Sequence, residues 1–414
     1  MHGFGAHIEK INIQGIGSRN EEARQFMHLS TDRVLTTHVG SLPRGEPLAT
    51  LLLSQEADEE IDPRELSDAV SEAIESVVIS QAQCGIDIAS DGEMPRVSFS
   101  TYVPRRMTGF SGESKRPLPL DAQRFPKWLE WMRRSRLRRA KVYNAPQATS
   151  DIFYEDLSPV EEECRLFQSA IERAPGKFVD AFMTAASPGI VVTTMINKHY
   201  DSHESYLFAV ARELRKEYRR IVEAGFILQI DAPDLAMERS GFFQKQTLIE
   251  FQAFVEMHIE AINFALEGIP ADKVRLHACW GNRNSPHAYD VPCPDILPFL
   301  YEAGVGAISL PFANPRHAHE VDALREYRLP DQMALIPGVI ETVTNYVEHP
   351  KVVAERLNRA VHAVGDRERV IASTDCGFST LAGDAFVAED VVWAKLSALV
   401  QGAKIATKEL WGKL

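Results

Sequence analysis

The stretch VRLHACWGN, residues 274–282, decides how the rest of the chain is read. An apolar, strand-like run carries His277 and Cys279 two positions apart and then breaks at Gly281. Side chains at i and i+2 of a strand share a face, so an imidazole and a thiol placed this way can grip one metal ion if another ligand arrives from elsewhere. The competing reading is a small buried cysteine beside a hydrogen-bonded core histidine, since buried Cys often serves as a small hydrophobe. The surrounding sequence has to choose between them.

Outward from this run, short β-branched segments alternate with long amphipathic ones. Strands are expected at RVLTTHV (33–39), IDIASD (86–91), FVDAFMT (178–184), FILQID (226–231), VRLHACW (274–280), VGAISL (305–310), ALIPGVI (334–340) and RVIASTD (369–375). Helical patterns lie between them. One opens near Pro63 and closes at Gly85, another runs from 203 to Gly225, and HAHEVDALREY is a third. Strands separated by helices imply parallel pairing through crossovers. Eight such units favour a closed (β/α)8 TIM barrel over an open doubly wound sheet, and neither a GxGxxG after the first strand nor a P-loop occurs. The expected layout is an extension over 1–30 and a single barrel domain over 31–414. An insertion at about 112–157, after the second strand, would cross the surface and help to cover a site. The basic run RRSRLRRAK (133–141) inside it reads as a solvated helix face rather than an anion site.

Composition narrows the partners. The 414 residues are 45% hydrophobic and 25% charged, an ordinary globular balance with ample core. A net charge of −13 argues against nucleic acid or an anionic membrane. No apolar run reaches a membrane span, and the N-terminal 26 residues carry charges throughout rather than a signal-peptide core. The five widely spaced cysteines do not form a disulfide framework and suit a reducing compartment, so a cytoplasmic protein is expected. A homo-oligomer is compatible with the sequence, which does not fix the state.

In such a barrel, chemistry sits at the C-terminal ends of the strands. Polar runs follow the expected strands there: THVGSLPR (37–44), DGE (91–93), DAPD (231–234), HACWGN (277–282), ANPRH (313–317), ETVTN (341–345) and DCGFST (375–380). Cys376 falls at a strand end, as Cys279 does, whereas Cys84, Cys164 and Cys293 fall in or near helical patterns and read as packing residues. His277, Cys279 and Cys376 thus converge on one mouth. Two thiolates and an imidazole select zinc over magnesium or calcium, and three protein ligands leave a position open. A thiol entering that position would lose its proton and become a strong nucleophile. Thiol alkylation is the expected chemistry. Glu93 and Asp231 are placed to hold an ammonium, or else to brace loops, and Gly40 and Ser41 to donate to a carboxylate. His38 either contacts substrate or supports a neighbouring loop. Arg316, His317 and His319 follow Pro315 and read as helix-surface groups.

The motifs TTHVGSLPR, DGEMPR, LQIDAPDLA, HACWGN, ANPRH, GVIETVTNYVEHP and STDCGF together resemble the catalytic C-terminal domain of the cobalamin-independent methionine synthase family. The single barrel is most similar to the short branch that holds core methionine synthases and epoxyalkane:coenzyme M transferases. The resemblance implies a zinc-dependent TIM barrel that activates a thiol, with ligands His277, Cys279 and Cys376 and substrate contacts at Gly40, Ser41, Glu93 and Asp231. It also implies a Glu as fourth ligand and a proton-donating His after the seventh strand. Here the first position is Pro311 and the second run reads Glu341-Thr342-Val343-Thr344. The fourth metal ligand is therefore left open. The expected activity is transfer of a methyl or other alkyl group to a small, homocysteine-like thiol. Epoxide opening by a thiol and a metal-free lyase or decarboxylase on the same barrel are the alternatives.

Overall fold

The computed structural model describes residues 27–134, 140, 144–384 and 386–412; most of the expected extension over 1–30 and of the basic run 133–141 lies outside the described residues. The strands are β1 (Ile88–Ser90), β2 (Met107–Ser111), β3 (Gln147–Tyr154), β4 (Asp180–Ala186), β5 (Ile227–Asp231), β6 (Val274–His277), β7 (Ala307–Pro311), β8 (Ala334–Ile340) and β9 (Ser373–Thr374). β1 and β4 to β9 form one curled parallel sheet in chain order, and β2 pairs only with β3, antiparallel. The parallel strands are buried on both faces, as crossover helices require; β5, β7 and β8 are buried at every residue.

The helices are α1 (Leu48–Glu56), α2 (Pro63–Cys84), α3 (Leu120–Arg124), α4 (Pro126–Arg134), α5 (Ser158–Arg173), α6 (Pro188–Thr194), α7 (His203–Glu223), α8 (Leu248–Ala265), α9 (Cys293–Leu300), α10 (Pro350–Val364) and α11 (Glu389–Trp411). Their ends follow local chemistry. Asp62 caps α2 by accepting from Arg64 N, Pro63 opens the first turn, and Gly85 closes it at φ 82°. Such an N-cap stabilises by about 1 kcal/mol. Ser202 with Ser205, and Thr247 with Glu250, form capping boxes on α7 and α8. Among the described residues no helix is long and apolar enough to cross a membrane.

Two expected elements differ. RVLTTHV is not a regular strand, because the Asp87 carboxylate takes the Thr36 amide (2.8 Å) and hydroxyl (2.9 Å) in place of a strand carbonyl. The segment still bonds on two sides. The Thr36 carbonyl accepts from Asp87 N and Ile88 N, while Thr37 N donates to the Ala372 carbonyl and Ala372 N to that of Leu35. It therefore bonds to chain at β1 and to chain next to β9, the two ends of the sheet. HAHEVDALREY forms only a 3-10 turn over Glu320–Arg325 rather than an α-helix.

Apolar side chains divide into two bodies. One large cluster fills the space between sheet and helices. A smaller one gathers Leu35, Ile88, Phe182, Ile227, Ala307, Ile336 and Ile371. These lie towards the N-terminal ends of the strands, which leaves polar residues to collect at the C-terminal ends.

Candidate metal and substrate site

β6 ends at His277, earlier than expected, but Ala278 N still donates to the Ser309 carbonyl at 3.1 Å. The pleat thus continues far enough to keep Cys279 on the His277 side. Gly281, at φ 94°, then turns the chain where a Cβ would meet Met237 Sδ at 2.9 Å. Cys376 arrives from beyond β9. One ligand atom from each of His277, Cys279 and Cys376 lies within 4.8 Å of the others, all three residues being buried. Cys84, Cys164 and Cys293 stand in helices; burial pushes the Cys164 thiol up to about 12 and raises those of Cys84 and Cys293.

The cluster is electrostatically uneven. The Cys376 thiol, acting as donor, and the charge of His277 hold Cys279 well below the usual thiol range. Cys376, as that donor and by burial, is held above it. Burial works against a charged His277, but the Cys279 thiolate outweighs it and raises the imidazole. His277 faces the thiols with Nε2, 3.8 Å from Cys376 Sγ, so a ring nitrogen and two sulfurs present lone pairs to one small buried space. The donor set is soft, and it fits zinc.

Pro311 ends β7 beside this cluster and has no ligating side chain. Glu341 lines the same small space, but its carboxylate accepts from Val343 N (2.8 Å), Thr344 N (3.0 Å) and Thr344 Oγ1 (2.5 Å). Those bonds brace its own loop.

The acids sit on the neighbouring strand ends. Asp231 is paired in register with His277 and accepts from Gln229 Nε2 at 2.7 Å. Burial first, then the Glu93 charge, raise Asp231 to about 8. Glu93 is also raised by burial, has φ 56°, and accepts from Thr184 Oγ1 at 3.2 Å. Its Oε2 has no hydrogen-bond partner among the described residues, with Arg44 at 3.9 Å. A left-handed non-glycine residue is a strained choice that surrounding structure must enforce. Gly40 permits it: a Cβ there would meet Glu93 Oε1 at 2.7 Å.

Two expected substrate contacts are otherwise engaged. The Gly40 amide donates to His38 Nδ1 (3.2 Å), so it does not point at a ligand. His38 Nε2 then carries the proton and donates to Gln81 Oε1 at 2.8 Å. Burial lowers this imidazole to about 4, so it is neutral. His38 is a brace behind the loop, outside the cavity lining. The Ser41 hydroxyl, by contrast, is buried in the lining and has no hydrogen-bond partner among the described residues. Gly377 makes room for it, since a Cβ there would meet Ser41 Oγ at 1.9 Å.

Sequence reasoning missed the groups that hold these motifs together. Asn282 donates to the Gly377 carbonyl (2.7 Å) and accepts from Thr342 Oγ1 (2.9 Å), tying three strand-end loops. Arg275 lies inside the sheet, 3.5 Å over the Phe182 ring, and donates to Gln229, Thr37 and the His38 carbonyl. Its place between the apolar Val274 and Leu276 of a buried strand was the available signal. His317 is buried rather than on a helix surface. It bridges Asp290 (2.9 Å) and Glu320 (2.7 Å) and stacks on Trp280 with centroids 4.0 Å apart.

Above the three ligands lies a cavity of about 460 Å³. Its floor holds His277, Cys279, Cys376, Glu93, Asp231 and Ser41, and α3 and α4 contribute to its walls.

Residues 34–117 and 134–404 match the family described as "Cobalamin-independent synthase, Catalytic domain". A methionine synthase of Sulfurisphaera tokodaii is 24% identical over 379 residues, covering 91% of this chain and 94% of that protein. A methionine synthase of Saccharolobus islandicus is 23% identical over 381 residues, with 91% and 95% covered. The solved structure of a B12-independent methionine synthase from Shewanella sp. W3-18-1, in complex with selenomethionine, shares the fold: TM-score 0.69, 21% identity, 92% of this chain and 100% of that one. With the match spanning most of its length, this chain belongs to the cobalamin-independent synthase catalytic-domain family.

Proposed function

We propose that the protein is a zinc-dependent thiol S-alkyltransferase acting on a small, homocysteine-like thiol and an alkyl donor. The observation that carries this reading is the convergence of His277, Cys279 and Cys376 within 4.8 Å at the floor of a buried cavity. Membership of the family and the names of the relatives support it. In the same reading the segment at 33–39 acts as an eighth staggered strand, its bonds near β1 and β9 closing a (β/α)8 barrel. Residues 31–414 then form one domain preceded by an extension over 1–30, with 112–157 as an insertion over the mouth.

His277, Cys279 and Cys376 would hold the metal. Zinc, when bound, supplies a Lewis acid that favours the thiolate form of a thiol at neutral pH. The chain's own groups orient the substrate. Glu93 and Asp231, buried side by side, suit an ammonium, which relieves their mutual repulsion. The Ser41 hydroxyl is a donor available to a carboxylate. His38 and Gln81 keep the Gly40–Ser41 turn in place behind it. Burial of the cavity floor excludes water, which strengthens each of these contacts.

The test is a screen of the zinc-loaded protein with homocysteine and other small thiols against methyl and epoxide donors, read as thioether by mass spectrometry. Thioether formation that is lost in Cys279→Ser is the expected result. Turnover of a substrate without any thiol requirement would point instead to lyase or decarboxylase chemistry.

A further inference from the structure

The loops that leave β6 and β7 meet at a second group of metal-ligating side chains. His287 Nδ1 and His317 Nε2 both face one oxygen, Asp290 Oδ2, at 2.7 and 2.9 Å. One ligand atom from each of the three residues lies within 4.8 Å of the others. Their side chains are at most 8% exposed. None of them belongs to the thiol cluster.

The far side of each ring is already engaged. His287 Nε2 donates to the Arg283 carbonyl (3.1 Å), and His317 Nδ1 donates to Glu320 Oε2 (2.7 Å). Glu320 is itself held by the Cys293 amide on its other oxygen (2.9 Å). Metal-bound histidines almost always show this arrangement, with the remote N–H on a carbonyl or carboxylate and the near nitrogen on the ion. It fixes which nitrogen each ring turns inward. His287 is held in place at φ 51°, a left-handed backbone uncommon outside glycine.

The charge balance also suits a cation. With both remote nitrogens donating, the rings can each bond Asp290 without an ion only if each carries a second proton. Two imidazolium ions then share one buried oxygen, their ring centroids 6.2 Å apart. One divalent cation in place of those two protons leaves the formal charge of the group unchanged and turns both lone pairs to use. Small cavities of about 30 Å³ adjoin the group, one lined by His287 and His317, the other by His287 and Asp290. Each has room for a water that would complete the coordination.

We propose that His287, Asp290 and His317 form a second divalent-cation site, suited to zinc and separate from the His277, Cys279 and Cys376 centre. Two imidazoles and a carboxylate make a harder donor set than two thiolates and an imidazole. Two protons also have to leave before the ion enters, so it is held more weakly than one bound by thiolates and fills when metal is supplied. Its role is to pin the loop after β6 to the loop after β7. Trp280, next to Cys279, stacks on His317 with centroids 4.0 Å apart, so the pin also steadies the frame of the first centre. This second site stands whether or not the first alkylates a thiol.

Equilibrium dialysis of the full chain against zinc, at micromolar free metal and mildly alkaline pH, counts the sites by elemental analysis. Wild type should hold two equivalents, and the Cys279→Ser, Cys376→Ser double variant one. His287→Asn, whose new side chain tolerates the left-handed backbone, should also hold one, and Asp290→Asn provides a second variant if the first folds poorly. X-ray absorption at the zinc edge of the double cysteine variant leaves the proposed ligands untouched. It should show only nitrogen and oxygen neighbours at about 2.0–2.1 Å, with no sulfur shell near ~2.3 Å. Wild type that saturates at one equivalent, or a second equivalent that survives both His287→Asn and Asp290→Asn, would overturn the proposal.

Discussion

Cys376 Sγ lies 3.8 Å from His277 Nε2 although 99 residues separate the two in the chain. Only the sheet brings them together: His277 ends β6, Cys376 follows β9, and β7 and β8 lie between. If this closeness serves metal binding, Cys376→Ser should lose most of the zinc found in the purified protein. Cys84→Ser, changed in α2 far along the chain, should retain near one equivalent. Elemental analysis of both variants decides it, and equal zinc in the two would reject the ligand assignment.

Pro311 sets the second expectation. A site with three protein ligands should yield its metal to a chelator faster than one with an added carboxylate, and bound thiol should protect it. Two thiolates and a neutral imidazole leave the zinc complex neutral, which favours an incoming anion. Pro311→Glu should therefore slow metal loss and weaken thiol binding. If chelation rate and thiol affinity both stay unchanged, another side chain already occupies the fourth position.

Much of this was legible in the sequence, for physical reasons. The HxC spacing works because strand side chains alternate, and the polar runs after apolar strands mark the sheet's C-terminal ends. The first strand is less regular than expected because its β-branched pattern does not reveal that Asp87, 51 residues from Thr36, would take the Thr36 amide. The motif implies a substrate contact at Gly40 and leaves His38 open between substrate and loop support; in the structure the Gly40 amide donates to His38 and His38 to Gln81, the loop-supporting arrangement. Asn282 is overlooked, and His317 reads as a helix-surface group, for a related reason. Their roles depend on partners in other loops, such as Gly377, 95 residues from Asn282, and no local periodicity encodes those.

His317 makes a stability prediction. Its imidazole, raised to about 9 by Asp290 and Glu320 against its burial, is charged at neutral pH. The raised value means that its contribution is complete below its ordinary value of 6.5 and is lost as pH rises through about 9. Asp290 is held low by the two histidines against its own burial, so its share is lost instead as pH falls through that lowered value. Removing His317 takes a charged partner from both buried carboxylates, leaving Asp290 with His287 and Glu320 with the Cys293 amide, and breaking such a buried pair costs about 3–5 kcal/mol. Melting temperatures of wild type and His317→Gln should differ most between about pH 5 and 6.5 and converge by about pH 9. A difference independent of pH would show that the Trp280 stack alone carries the effect.

Methyltetrahydrofolate should be a poor methyl donor. Its leaving nitrogen needs a positioned acid, and general acid catalysis supplies about 10²–10⁴-fold. The run Glu341-Thr342-Val343-Thr344 offers no histidine, and the Glu341 carboxylate is occupied by its own loop. Steady-state turnover with monoglutamyl and polyglutamyl forms checks this. Efficient methylation of homocysteine from either would reverse the prediction and place the chain with ordinary methionine synthases.

The central claim is that a substrate thiol gives up its proton at the His277, Cys279 and Cys376 site. Calorimetric titration of homocysteine into the zinc-loaded protein, repeated near neutral pH in buffers of different ionisation enthalpy, measures this directly. The account predicts a heat that varies linearly with buffer enthalpy, with a slope near one proton released, and loss of that slope in Cys376→Ser. Tight binding with a heat independent of the buffer would contradict it.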